Sequence, residues 1–139
     1  MTTNVQITEN FNYRELACKG TDQSCGGCSA LPITDLLYVH MERIQSIRTR
    51  LGIPLSVTSG HRCARHNRYS GGAPHSMHLN LATDVRPSIS ADNLVEAMDD
   101  IVALADEMSL GGIGIYNDFV HLDSREYIGR GIARWNNRT

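Results

Sequence analysis

Apolar residues recur at Leu36, Leu37, Met41, Ile44, Ile47 and Leu51. Steps of three and four place them along one helical face, so the pattern predicts a helix over residues 33–51. Thr34 is its N-cap, and Gly52 followed by Pro54 stops it. Leu55–Ser59 alternates apolar and polar positions and reads as a strand. Residues 60–74 are rich in Gly and Arg and read as a loop with one helical turn near Ala64–Tyr69; such a long loop in a short chain is often functional. Residues 81–86 form a second strand, stopped by Pro87. Ser90 caps a second helix reaching Met108, with apolar positions at Leu94, Val95, Met98, Ile101, Val102, Leu104, Ala105 and Met108. Gly111-Gly112 ends that helix. Residues 113–116 and 119–122 then make a hairpin across Asn117-Asp118, a favourable two-residue turn. A last short strand covers residues 132–135.

Residues 1–32 break this regularity. They read as an irregular, Cys-rich arm that Phe11, Tyr13 and Leu16 anchor to a core spanning 33–139. The order of elements predicts one α+β domain over residues 1–139, with a small, mostly antiparallel sheet and helices packed on one side of it. A chain of 139 residues suits one core. Thirteen Lys+Arg against fifteen Asp+Glu leave a net charge of −2. That balance gives no reason to expect nucleic acid or an anionic membrane as partner. Residues 1–20 lack a hydrophobic segment of the kind a secretion signal needs, and no apolar run is long enough to span a bilayer. The expectation is synthesis in the cytoplasm without membrane insertion.

The cysteines are Cys18, Cys25, Cys28 and Cys63. Cys25-Gly-Gly-Cys28 has the two-residue spacing of a metal knuckle. Without a secretion signal, metal binding is favoured over disulfides. The four together form a candidate structural metal site pinning the arm to the core; free or oxidised thiols are the other reading.

His78, Asp84 and His121 carry the most chemistry. Two imidazoles and one carboxylate hold zinc and leave a position open for water. Strand alternation puts Ala82 with Asp84 on one face, and Phe119, His121 and Asp123 on one face, while Val120 and Leu122 point into the opposite layer. Asp118, three residues before His121, is placed to act as general base; turn chemistry is its alternative role. Arg62, just after the first strand, is a candidate bidentate clamp for a substrate carboxylate, or a surface Arg. Ser76 is a candidate substrate contact, or a loop cap beside His78. Asp123 either orients a ligand His or finishes the strand. His75 is the substitute ligand. His40 belongs to the core or the surface.

Taken together, Ser59-Gly60-His61-Arg62, His66-Asn67, Gly71-Gly72, Ser76-x-His78, Ala82-x-Asp84, Gly112-Ile113-Gly114-Ile115-Tyr116 and Phe119-Val120-His121-Leu122-Asp123 resemble the zinc D-Ala-D-Ala carboxypeptidase family. That group includes peptidoglycan-cleaving phage endolysins and shares its fold with the hedgehog signalling domain. The resemblance runs over roughly residues 10 to 136. It implies the hedgehog/D,D-peptidase fold, with His78, Asp84 and His121 as zinc ligands, Asp118 as base, and Arg62 and Ser76 as substrate contacts. It further implies hydrolysis of a peptidoglycan stem-peptide or cross-bridge bond, as carboxypeptidase or endopeptidase. Two departures stand out. Five residues separate His78 from Asp84 where the family has six, and the glycine between them is missing. His61 occupies the usual Tyr position before Arg62.

The expected function is therefore a zinc metallopeptidase acting on bacterial cell wall, in the setting of a phage-encoded or virion-associated lysis enzyme. The alternative is a zinc-binding but catalytically weak or inactive assembly component of the same fold, with virion partners. An ion that only supports folding is a third reading, and a filled fourth ligand position would mark it.

Overall fold

The computed structural model describes residues 4–139. Four helices and five strands follow the chain: α1 (Tyr13–Leu16), α2 (Asp35–Leu51), β1 (Leu55–Ser59), α3 (Ala64–Tyr69), β2 (Ala82–Pro87), α4 (Ala91–Glu107), β3 (Gly112–Ile115), β4 (Val120–Asp123) and β5 (Ala133–Asn136). This is the α+β arrangement expected. The arm contains a short helix, α1, which the irregular reading had omitted. Asn12 starts it by accepting from the Glu15 amide, a local cap in a stretch too short for periodicity to register.

Helix α2 ends where its caps dictate, whereas Ser90 starts α4 without a side-chain cap bond. Thr34 accepts from the Leu37 amide, and Gly52 closes α2 in the left-handed region, where a residue without Cβ pays no steric penalty. The buried residues of α2 are Leu37, His40, Met41, Ile44, Gln45 and Ile47. Leu36 is exposed instead of buried. A stripe through Leu37, Met41 and Ile44 brings His40 inward at the position three after Leu37, and Leu36 turns about 100° away from it. Val95 is likewise exposed on the outer side of α4.

The sheet order is β1-β2-β4-β3-β5. Every neighbouring pair is antiparallel except β3 and β5, which run parallel. The β3–β4 hairpin closes with the Tyr116 amide donating to the Phe119 carbonyl at 3.0 Å. Period-two alternation then splits the sheet. Val85, Ile113, Val120 and Leu122 face the layer of α2 and α4, where Met41, Ile44, Met98 and Ile101 are fully buried. Asp84, His121 and Asp123 face the other way. Of the expected anchors, Phe11 and Leu16 join the same core and Tyr13 packs partly buried against it; Ile7 joins the core as well.

His40 is a polar tie inside this core. Its Nδ1 lies 2.6 Å from Ser124 Oγ and its Nε2 2.9 Å from Thr83 Oγ1. Burial pushes its pKa down to about 3, against 6.5 for an exposed imidazole. The folded state therefore stays unprotonated at His40 while the unfolded chain takes up a proton below pH 6.5. Stability is expected to fall as pH drops from 6.5 towards 3, by up to about 1.4 kcal/mol per pH unit from this group. Urea midpoints measured across that range should show the decline in the wild type, and a smaller one in His40→Gln. Parallel curves for the two proteins would contradict it.

Candidate metal centre

Register and turn geometry bring the triad together. Asp84 on β2 pairs directly with His121 on β4. His78 arrives from a 3-10 turn, Met77–Leu79, that Ser76 caps by accepting from the His78 amide at 3.2 Å. Asp84 Oδ2 then lies 3.1 Å from His78 Nε2, and Asp84 Oδ1 lies 3.0 Å from His121 Nδ1. All three residues are buried, and their donor atoms fall within 4.8 Å of one another. With five residues between them, His78 and Asp84 converge because the tight turn at 77–79 and the bend at Asn80 lead the chain into β2 at Ala82.

The outer contacts fix which nitrogen of each ring is available. His78 Nδ1 lies 2.7 Å from the Gly60 carbonyl, which accepts only, so Nδ1 carries the proton and Nε2 presents its lone pair. His121 Nε2 donates to Asp123 Oδ2 at 2.7 Å, which leaves Nδ1 facing Asp84. Two imidazole lone pairs aimed at one carboxylate repel unless a cation lies among them. The donor set thus fits a divalent metal with three protein ligands, each imidazole oriented by an outer acceptor.

Titration behaviour follows the same geometry. Burial alone would raise the Asp84 carboxyl; when each ring carries a second proton in place of a metal, His121 and His78 donate to it, outweigh burial and lower the pKa. Burial would push His121 down, yet Asp123 and Asp84 pull it above the usual imidazole value. Asp123 is held well below the carboxylate range: its burial is overcome by hydrogen bonds from His121 and Arg125. Arg125 grips that carboxylate with Nε and Nη2, at 2.9 and 2.7 Å. Asp123 is therefore an orienting carboxylate for His121 as well as a strand residue.

A cleft of about 560 Å³ opens over the triad. Arg62, Ser76, His75, Arg125 and Arg130 contribute polar lining, and Tyr116, Phe119 and Trp135 form an aromatic side. Tyr116 stacks on Phe119 with centroids 4.3 Å apart, and Trp135 Nε1 donates to the Tyr116 hydroxyl at 2.9 Å. Arg62 Nη2 donates to Ser76 Oγ at 3.2 Å, and its main-chain amide to the His78 carbonyl at 2.8 Å. Ser76 is thus a cap and an Arg62 partner at once. Asp118 is not brought into the cleft: it sits exposed on the hairpin turn, 3.4 Å from Arg86 Nη1.

Arg125 and Arg130 were not singled out by the sequence reading, and Gly112 and Gly114 entered it only as a helix stop and as part of the family motif. Gly112 pairs with Asp123, and Gly114 with both His121 and Trp135. A Cβ on Gly112 would collide with the Asp123 carboxylate, and one on Gly114 with the Trp135 indole. The signal was available as two alternations in register, Gly-x-Gly against His-x-Asp: the empty positions make room for the functional ones.

The four cysteines also come together, at a separate place behind the Arg62 loop. A sequence model described as Peptidase M15 matches residues 9–123. No curated protein matches the chain.

Proposed function

The chain belongs to the Peptidase M15 family, and from that premise we propose that it is a zinc-dependent hydrolase of peptide bonds in bacterial peptidoglycan. The observation that carries the reading is the convergence of His78 Nε2, Asp84 and His121 Nδ1 beneath an open cleft. Three ligands with a free side are the catalytic arrangement; structural sites close with a fourth. Zinc bound there supplies Lewis acidity towards a scissile carbonyl and makes a water acidic enough to attack near neutral pH.

The remaining work falls to protein groups. Arg62 is a cation with capacity to spare. Arg125 is committed to Asp123, and Arg130 donates to the His75 carbonyl at 2.7 Å. Arg62 has one side-chain partner, Ser76, and its buried Nε lacks any among the described residues. Burial lowers its pKa, which marks an incompletely solvated charge. A substrate carboxylate would meet it with charge-assisted hydrogen bonds, and Ser76 Oγ lies beside it to bond the same substrate. The aromatic side gives an extended peptide an apolar surface.

Proton transfer we assign to Asp118. Among the described residues the only carboxylate lining the cleft is Asp84, which is committed to the metal. In sequence Asp118 lies between Tyr116 and Phe119, both of which line the cleft, and it is exposed. Its 3.4 Å pairing with exposed Arg86 is of a kind worth roughly 0.2–1 kcal/mol, too little to hold it away. His75 is the second reading, because it lines the cleft directly. The resemblance to the zinc D-Ala-D-Ala carboxypeptidase family, which includes endolysins, supports a lysis setting on the cell wall. Among the described residues no helix is long and apolar enough to cross a membrane.

The test is direct. Purified cell walls incubated with zinc-loaded protein should lose turbidity and gain new amino and carboxyl termini, and a chelator should stop both. Zinc at full occupancy with no new termini would favour the assembly-component reading instead.

A further inference from the structure

Cys18, Cys25, Cys28 and Cys63 each offer a sulfur within 4.8 Å of the others, and none is in a disulfide. Cys18 and Cys25 Sγ are 4.0 Å apart, and Cys25 and Cys28 Sγ 3.5 Å apart. Zinc–thiolate bonds of about 2.3 Å at tetrahedral angles put neighbouring sulfurs about 3.8 Å apart, so the cluster already has the spacing of a filled site. Backbone conformation supports it independently. Gly26 and Gly27 both take positive φ, +74° and +65°, which folds the chain back so that Cys25 and Cys28 aim at one point. Gly20 packs on Cys25 Sγ so closely that a Cβ there would strike the sulfur.

The cluster joins two segments far apart in sequence. Cys63 follows Arg62 directly and is the N-cap of α3, its Sγ accepting from the His66 amide at 3.4 Å. The arm meets the same loop again where the His61 amide donates to the Leu16 carbonyl at 2.8 Å. Gly60 lies so close to the Leu16 backbone that it has no room for a side chain. The Gly60 carbonyl in turn receives His78 Nδ1. Arm, Arg62 loop and His78 are therefore consecutive links of one chain of contacts.

We propose that the four thiolates bind a second zinc ion in a closed site, and that this ion clamps the arm to the loop carrying Gly60 and Arg62. The proposal rests on the cysteine geometry and stands whether or not the cleft is a peptidase. Four sulfur ligands leave no position for water, so this ion takes no part in hydrolysis and contributes to folding instead.

Elemental analysis of the full-length protein tests it. Two zinc ions per chain are expected. Cys25→Ser/Cys28→Ser should lose one, and His78→Ala/His121→Ala should lose the other. Cobalt loaded into the His double variant should retain thiolate-to-cobalt charge-transfer absorption in the near ultraviolet, and cobalt in the Cys double variant should not show it. Amide exchange over residues 60–66 should rise in the Cys variant. A folded His double variant that holds no metal overturns the site, as do disulfide-linked cysteines in the freshly purified protein. Unchanged exchange at 60–66 after loss of that ion overturns the clamp. The His variant reports on the cysteine site even if the Cys variant fails to fold.

Discussion

His121→Ala is expected to release the cleft ion and to bring cell-wall hydrolysis to background. The substitution removes Nδ1, one of three protein ligands, and leaves His78 and Asp84 to bind alone. Two ligands neither fix the ion's position nor compete with water for it. Folding should survive better than binding, because Asp123 keeps all three hydrogen bonds from Arg125 after losing the imidazole. Asp123→Asn should have a graded effect. The ligand ring remains, but its orienting partner becomes a neutral amide, and changes at such partners weaken metal binding by about 10–100-fold. Competition against a chromogenic chelator gives both affinities. Thermal midpoints recorded with excess chelator separate metal loss from unfolding. Wild-type affinity in His121→Ala would end the assignment of that residue as a ligand.

The pattern of the chain made most of this legible, for identifiable reasons. Helices α2 and α4 are long enough for period and caps to agree, so Thr34, Gly52 and Ser90 mark their ends within a residue. The hairpin was visible because Asn117-Asp118 separates two apolar runs. Asp84 and His121 were legible as strand residues that share a face with small or aromatic neighbours, and His78 as a residue of the turn leading into the strand; that β2 sets Asp84 opposite His121 on β4 comes from the structure. What local pattern could not show was long-range pairing. The parallel placement of β5 beside β3 brings Trp135 over Gly114 and within 5.1 Å of the His121 ring. No signal within residues 132–135 encodes that neighbour. The outer contacts were hidden for the same reason. Arg125 is a surface residue by composition and a partner of Asp123 only after the turn following β4 has formed. His40 was ambiguous because an imidazole is tolerated inside only when both nitrogens find partners. Those partners, Thr83 and Ser124, lie 43 and 84 residues away in sequence.

Asp118→Asn is expected to lower the rate of peptide hydrolysis by about 10²–10⁴-fold, the usual worth of a positioned general base, while leaving zinc content unchanged. The amide keeps the size and turn preference of the carboxylate but cannot accept a proton, so a turn role alone predicts near-wild-type activity. The geometry supplies a second handle. Asp118 rests against Arg86 on the outside of the hairpin, and a base must leave that partner to work. Arg86→Ala should therefore retain activity, changing it by less than about fivefold, the range of an exposed ion pair. His75→Ala tells the two candidate bases apart. With Asp118 as base, His75→Ala stays within about tenfold of wild type and Asp118→Asn falls far below it. The reverse order of rates, at equal zinc occupancy, would transfer the role to His75. Single-turnover rates on a soluble stem-peptide fragment measure the chemical step in all three variants, free of the slow release of cell-wall products.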